Sequence, residues 1–66
     1  MNWDIVKGNW KQMKGSAKKR WGKLTDDELT QLEGNRDELV GKVQERYGIA
    51  RDEAERQVDD WAAENP

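Results

Sequence analysis

The sequence predicts an all-α protein, a small bundle of four or five helices arranged as two αα-hairpins that are related by an internal repeat and pack across each other. Three observations support this fold class. Apolar residues recur every three or four positions, as on one side of an amphipathic helix. Residue types that cap helices precede these apolar stretches. The six glycines form two sets with the same internal spacing, at positions 8, 15 and 22 and at positions 34, 41 and 48.

Size and composition place the chain near the lower limit for a single hydrophobic core. Its 66 residues are 39% charged and 33% hydrophobic, and they include no Cys and no His. Disulfides and zinc sites are therefore excluded as stabilising elements, and helix packing must hold the fold together. Large aromatic side chains supply much of the expected core, namely Trp3, Trp10, Trp21 and Trp61.

No apolar stretch approaches the ~20 residues of a membrane span. The first six residues also lack the basic start and apolar centre of a signal peptide. We therefore expect a soluble protein that stays in its compartment of synthesis and has no integral membrane segment.

The two glycine sets mark an internal repeat in which residues 8–33 align with residues 34–59. The aligned pairs beyond the glycines include Asn9 with Asn35, Arg20 with Arg46, Asp26 with Asp52, Gln31 with Gln57, Met13 with Leu39 and Trp21 with Tyr47. The sequence thus predicts one domain over residues 1–66, built from two equivalent helical hairpins with loose termini at residues 1–7 and 64–66. If the first helix begins earlier, Trp3 and Val6 extend its apolar stripe.

The first helix of each repeat unit is predicted to begin at an asparagine N-cap, Asn9 or Asn35. A Gln or Glu follows three residues later, as in a capping box. Gly22 and Gly48 are placed to end these helices in the left-handed conformation. The apolar stripes comprise Trp10, Met13, Ala17 and Trp21 in the first unit, and Leu39, Val40, Val43 and Tyr47 in the second.

The second helix of the first unit begins at Thr25, where Glu28 completes a capping box and Leu24 is placed to pack on Leu29. The second helix of the second unit has a weaker start, because Ala50 is a poor cap. The apolar side of that last helix comprises Val58, Trp61 and Ala62.

Gly15 and Gly41 lie in the middle of the first helix of each unit, away from its apolar stripe. A glycine there costs about 1 kcal/mol of helix stability relative to alanine. Three explanations remain open: simple tolerance, a tight crossing of two helices, or the close approach of a partner's backbone or phosphate.

The sequence offers little for catalysis, and we expect a protein that is not an enzyme, with no cofactor and no metal. Without His and Cys, general acid–base and nucleophilic chemistry would depend on carboxylates and lysines. Ser16 and Lys19 have the spacing of a Ser-x-x-Lys nucleophile but lack the rest of that signature. The acidic residues of the predicted first turns are those that a helix dipole favours.

Charge is divided unequally along the chain. Residues 1–24 carry seven basic side chains and one acidic one, and residues 25–66 carry five basic and thirteen acidic, so net charges of +6 and −8 make up the total of −2. A basic first helix with Trp beside it predicts phosphate contacts through residues 7–23, on nucleic acid or an anionic membrane surface. The alternative is a solvated face that pairs with the acidic half of the same molecule. The candidate contact residues are Trp10, Lys11, Lys14, Lys18, Lys19 and Lys23.

Three stretches, GNWKQMKG, KKRWGKLTDDELTQLEGNRDELVGKVQERYGIARDEAE and VDDW, follow one another and resemble the CsbD-like family of small bacterial proteins. The resemblance covers nearly the whole chain. It implies a compact domain of four or five helices in two roughly orthogonal hairpins, a cytoplasmic setting, and production during general stress responses. It implies no particular molecular activity and no catalytic residues.

Two hypotheses of function follow. The leading one is a non-enzymatic stress-response protein that acts through its hydrophilic surface as a protectant or weak binder of other macromolecules. The alternative is a binding module for nucleic acid or an anionic surface that uses the basic first helix. Oligomeric state stays open between a monomer and a weak homodimer, since Trp3 or Trp61 would serve a dimer contact as readily as a core.

Overall fold

The all-helical prediction is confirmed by the computed structural model, which describes residues 3–64 and contains five helices and no strand in that range. The helices are α1 (Trp3–Gly8), α2 (Trp10–Arg20), α3 (Asp26–Leu32), α4 (Arg36–Tyr47) and α5 (Arg51–Glu64). Of the expected loose termini, residues 1, 2, 65 and 66 lie outside the described residues, and Glu64 is the last residue of α5. Within residues 3–64, no helix has both the length and the apolar character needed to cross a membrane.

The helices pair in the order of the chain. α2 packs against α3, and α4 packs against α5, so each pair forms a helical hairpin with a short connection. α1 packs on α2, and α3 contacts α4 where the two hairpins meet. This arrangement leaves one long side of α2 and one long side of α4 facing outward.

All five helices contribute to a single apolar core. Among the described residues no polar or charged residue is buried, so apolar burial is the main stabilising term. The core consists of Val6, Trp10, Ala17, Trp21, Leu24, Leu29, Leu32, Leu39, Val40, Val43, Ala54, Val58, Trp61 and Ala62.

The indole ring of Trp61 connects the last helix to the first two. Its centroid lies 5.5 Å from that of Trp21, 6.1 Å from Trp10 and 6.4 Å from Trp3. Its Nε1 donates a hydrogen bond of 3.0 Å to Ser16 Oγ in α2. Edge-to-face ring contacts of this kind add to the burial of the rings themselves. Trp61 therefore belongs to the core.

The other two core indoles also have hydrogen-bond acceptors. Trp10 Nε1 donates to the carbonyl of Leu29 at 2.6 Å, which joins α2 to α3. Trp21 Nε1 donates to Gln57 Oε1 at 3.2 Å, which joins the end of α2 to α5. Each bond avoids the cost of burying an indole N–H without a partner.

Residues 3–7 do not form the loose arm that was one expectation. They lie in α1, where Val6 is fully buried and Trp3 packs on Trp61, so the first apolar stripe does extend toward the N-terminus. The N–H of Asn9 donates to the carbonyls of Ile5 and Val6 at 3.0 and 3.2 Å, so α1 runs into α2 with one residue between them.

This junction also corrects the predicted role of Asn9. Asn9 has φ −109° and ψ 16°, and its side chain makes no capping bond to the start of α2. Its Nδ2 instead donates to the carbonyl of Ile5 at 3.1 Å. Because α1 leads directly into α2, there is no free helix end for the asparagine to cap.

The predicted N-caps of α3 and α4 are confirmed, but of the two only Thr25 forms the reciprocal capping box, because the N–H of Asn35 donates to the carbonyl of Leu32. Thr25 Oγ1 accepts a bond of 3.1 Å from the N–H of Glu28, and Glu28 Oε1 accepts one of 3.0 Å from the N–H of Thr25. Asn35 Oδ1 accepts a bond of 3.0 Å from the N–H of Glu38. Each cap satisfies N–H groups that the first turn of a helix leaves free.

Only one of the two glycines predicted to end a helix has the left-handed conformation. Gly48 has φ 63° and ψ 36°, and its N–H donates to the carbonyl four residues earlier at 2.8 Å. Gly22 is not left-handed, so its prediction is wrong; α2 ends instead at Trp21, with φ −122°. Lys18 Nζ closes this turn by donating to the carbonyls of Gly22 and Leu24 at 3.0 and 2.6 Å.

A left-handed turn that the sequence did not predict joins α3 to α4. Glu33 has φ 53° and Gly34 has φ 80°. A Cβ atom on Gly34 would lie 3.0 Å from the Cα atom of Lys7, which is closer than most such contacts, so the Lys7 backbone would have to shift. Gly34 therefore lets α1 lie directly on the turn between the two hairpins.

We predict that Gly48→Ala lowers the free energy of unfolding by about 1 kcal/mol, because an L side chain is strained in the left-handed region. Gly22→Ala is the matched control, since its Cβ would meet open space and its φ is not positive. That variant should be neutral or slightly stabilising. Urea unfolding followed by Trp fluorescence measures both, and equal losses would contradict this assignment of the two turns.

Glu28 links the two hairpins by charge. Its Oε2 atom lies 3.5 Å from Lys42 Nζ and also accepts a hydrogen bond from Arg46, so a cap residue of α3 is held by two cations of α4. The hydrogen bond from Arg46, followed by that from the N–H of Thr25, lowers the pKa of Glu28 from 4.5 to about 2.

The lowered pKa of Glu28 predicts a loss of stability in acid. A carboxyl whose pKa falls on folding stabilises the native state fully above its unfolded value of 4.5, and this contribution disappears as pH falls toward about 2. Glu28→Gln should therefore lower the melting temperature near neutral pH and bring it closer to that of the parent in acid. Asp27→Asn is the control, because Asp27 forms no ion pair among the described residues. A difference in melting temperature between the parent and Glu28→Gln that stays constant across this pH range would contradict the prediction.

Candidate anion-binding face

The two halves of the chain use their basic residues differently. Every basic residue between positions 25 and 64 forms an ion pair, namely Arg36, Lys42, Arg46, Arg51 and Arg56. Within residues 3–64, no ion pair involves a basic residue that precedes position 25: Lys7, Lys11, Lys14, Lys18, Lys19, Arg20 or Lys23. Ion pairing with the acidic residues of positions 25–64 therefore does not account for the basic residues of the first helices.

Trp10, one of the predicted contact residues, lies in the core. Its side chain is only 6% exposed, and its N–H is bonded to the carbonyl of Leu29. It has no ring face available for a base or a lipid. This corrects its predicted place on the binding surface and leaves the lysines as the candidate residues.

Three of the predicted lysines contact neutral groups. Lys14 Nζ donates to Thr30 Oγ1 at 2.9 Å, and Lys18 Nζ donates to the two carbonyls that close the end of α2. Lys23 Nζ lies 5.0 Å from the centroid of the Tyr47 ring. These partners orient the ammonium groups without cancelling their charge.

Lys11 and Lys19 are exposed and make no contact of these kinds with the described residues. They lie four residues before and four residues after Gly15, and residues at that spacing share one side of a helix. A Cβ on Gly15 would meet nothing within 4 Å, so the predicted alternative of a tight helix crossing at Gly15 does not occur among the helices of residues 3–64. We call Lys11, Lys14, Gly15, Lys18 and Lys19 the lysine face.

The matching positions of α4 carry the opposite charge. Gly41 is exposed, has open space at its Cβ position, and lies four residues from Asp37 and four from Glu45. The Asp37 side chain is 78% exposed and pairs loosely with Arg36 at 3.8 Å and Arg51 at 3.4 Å. We call Asp37, Glu38, Gly41 and Glu45 the acidic face.

The sequence contained the signal for the acidic face. Shifting Lys11, Gly15 and Lys19 by the length of one repeat unit gives Asp37, Gly41 and Glu45. In the sequence these are two separate features, glycines that weaken each helix and charges that differ between the two halves of the chain. The structure joins them, because it shows that both glycines face outward.

The arrangement around Ser16 does not resemble a nucleophile site. Its Oγ accepts the hydrogen bond from Trp61 Nε1, and Lys19 lies on the exposed side of the same helix. Within residues 3–64, no three acidic side chains come close enough together to hold a metal ion. The chemistry available on α2 is therefore charge attraction and hydrogen bonding by ammonium groups.

Comparison with known proteins supports the resemblance seen in the sequence. The family model described as CsbD-like matches residues 4–56. The chain is 60% identical to the UPF0337 protein YjbJ of Escherichia coli strain K12 over 65 residues, which cover 98% of this chain and 94% of the relative. It is 54% identical to a UPF0337 protein of Bordetella pertussis over 66 residues, all of both chains. A UPF0337 protein of Pectobacterium atrosepticum is 61% identical over 61 residues, 92% of this chain and 88% of the relative.

The family model matches most of the chain. The relatives from Escherichia coli and Bordetella pertussis align with the chain over nearly their whole length. The chain is thus similar, over nearly all of its residues, to bacterial proteins of about the same length. The chain belongs to the CsbD-like family.

Proposed function

We propose that this protein is a non-enzymatic, cytoplasmic stress-response protein that acts through its charged surface as a protectant and weak binder of other macromolecules. The observation that carries the proposal is the set of lysines on α2 that have no acidic partner among the described residues. An uncompensated positive surface attracts polyanions over a distance of about one Debye length, ~8 Å at physiological salt.

The same observation favours a second candidate, a dedicated binding module for nucleic acid or an anionic surface. Ammonium groups along one side of a helix can each bind a phosphate group, because a lysine acts on phosphate as a point charge. Binding of this kind positions a phosphate backbone without reading its bases.

The surface offers little for base stacking or membrane insertion. Trp10, Trp21 and Trp61 are in the core, and Ile5 is the one large hydrophobic side chain that the described residues leave exposed, at 56%. Proteins that hold single strands commonly stack bases on exposed aromatic rings, which this face lacks. Its interaction with polyanions should therefore be electrostatic and weak.

The test is titration of the whole protein with duplex DNA, RNA, and vesicles with and without anionic lipid, at low and at moderate salt. We expect weak binding to the anionic ligands alone, which decreases steeply as salt increases. With up to about four lysine–phosphate contacts on duplex DNA, log K should fall with log salt at a slope no steeper than about −4.

Lys11→Gln with Lys19→Gln should remove most of this binding. Arg51→Gln with Arg56→Gln is the matched control, because it makes the same change in net charge on α5, away from the lysine face. Equal losses in both variants would show that total charge alone matters. No salt-dependent binding to any ligand would rule out both polyanion proposals, whereas saturable, tight binding to one ligand would identify a dedicated module.

A further inference from the structure

We propose that the lysine face of one copy of this chain docks on the acidic face of a second copy, so that α2 crosses α4 with Gly15 opposite Gly41. The inference goes beyond the proposed function, because it identifies a partner, the chain itself, and a second binding surface on α4.

The charges of the two faces match in sign and in spacing. Lys11 and Lys19 are eight residues apart on α2, and Asp37 and Glu45 are eight residues apart on α4. At 1.5 Å per residue, each pair spans about 12 Å along its helix. Two helices laid side by side can therefore form both ion pairs at once, while two α2 helices or two α4 helices would repel each other.

The glycines at the centre of each face allow the helices to come close. Interaxial distance depends on the side chains at the point of contact, and a glycine places none there. Among residues 3–64, no neighbouring element uses this space, since a Cβ on Gly15 or Gly41 would meet no atom of another element within 4 Å. The flanking side chains can then lie along the partner helix with their methylene groups covered and their charges paired.

Both faces are available without disturbing the core. Gly15, Lys11 and Lys19 are exposed on one face, as are Gly41 and Glu45 on the other. The existing contacts of Asp37 are surface ion pairs of 3.4 and 3.8 Å, a kind that adds little stability. The overall charge of −2 also opposes association only slightly.

The contact joins two different surfaces, and every copy carries both. Such a contact need not close on itself, so dimers and longer assemblies would both contain it. Because its ion pairs lie at the surface, added salt should weaken it.

The test uses the full-length protein alone, without nucleic acid or lipid, in sedimentation equilibrium over a wide range of concentration at low and high salt. We expect the average mass to increase with concentration at low salt and to stay at the monomer value at high salt. A monomer under all conditions would overturn the proposal.

Charge reversal identifies the surfaces. Lys11→Glu with Lys19→Glu removes the net positive charge of the lysine face, and Asp37→Lys with Glu45→Lys makes the acidic face basic, so each variant alone should associate at least tenfold more weakly than the parent. An equimolar mixture should regain association, because the two variants again present opposite charges. Failure of the mixture to associate, or unchanged association of either variant alone, would overturn the proposal.

A third variant separates docking from folding. Gly15→Gln adds an uncharged side chain in open space, so it should raise the melting temperature while weakening association several-fold. Melting curves of all variants check that each is folded, and Asp37→Asn with Glu45→Gln replaces the charge reversal if that variant unfolds. Binding to DNA distinguishes this proposal from the previous one, because loss of the α4 carboxylates should abolish self-association and leave DNA binding intact.

Discussion

The contacts of Trp61 hold this small bundle together. Its ring lies against Trp3, Trp10 and Trp21, and its N–H is bonded to Ser16, so one side chain of α5 closes the core over α1 and α2. Loss of a large core aromatic typically costs about 3–5 kcal/mol. That is comparable to the whole stability expected of a domain of this size, about 5 kcal/mol or less. The last helix is therefore required for the packing of the first two.

The direction of these contacts also determines which surface is left for function. α2 turns Trp10 and Ala17 inward, so Lys11, Gly15 and Lys19 face outward. The carboxylates that are closest to cations belong to other elements: Glu28 binds Lys42 and Arg46, and the Arg36 guanidinium lowers the pKa of Asp59 through a paired hydrogen bond. These ion pairs connect α3 to α4 and α4 to α5, whereas no lysine of α2 forms an ion pair within residues 3–64.

Local signals were sufficient where a helix end depends on its own residues. The caps at Thr25 and Asn35 and the left-handed Gly48 were predicted correctly, because each bond joins residues a few positions apart. The predictions for Asn9 and Gly22 were wrong because residues that precede them in the chain supply what those residues were expected to provide. α1 precedes Asn9 as a helix, and the Lys18 side chain returns to the carbonyls after α2. The candidate site shows the same difference. The periodicity of α2 placed Lys11 and Lys19 away from its apolar stripe, and they are exposed. The burial of Trp10 could not be predicted in this way, because it depends on contacts with α3 and α5.

The sequence by itself determined the helical class, the apolar side of each helix, and the reversal of charge between Lys11 and Asp37 and between Lys19 and Glu45. These properties depend on periodicity and residue type, which are local. Only the tertiary structure decided that residues 3–7 join the core and that the four indoles meet at Trp61. Only the tertiary structure, too, decided that Gly15 and Gly41 face open space. The reason is that the exposure and ion pairing of a side chain depend on which other helix covers it, and this depends on packing between segments that are distant in the sequence.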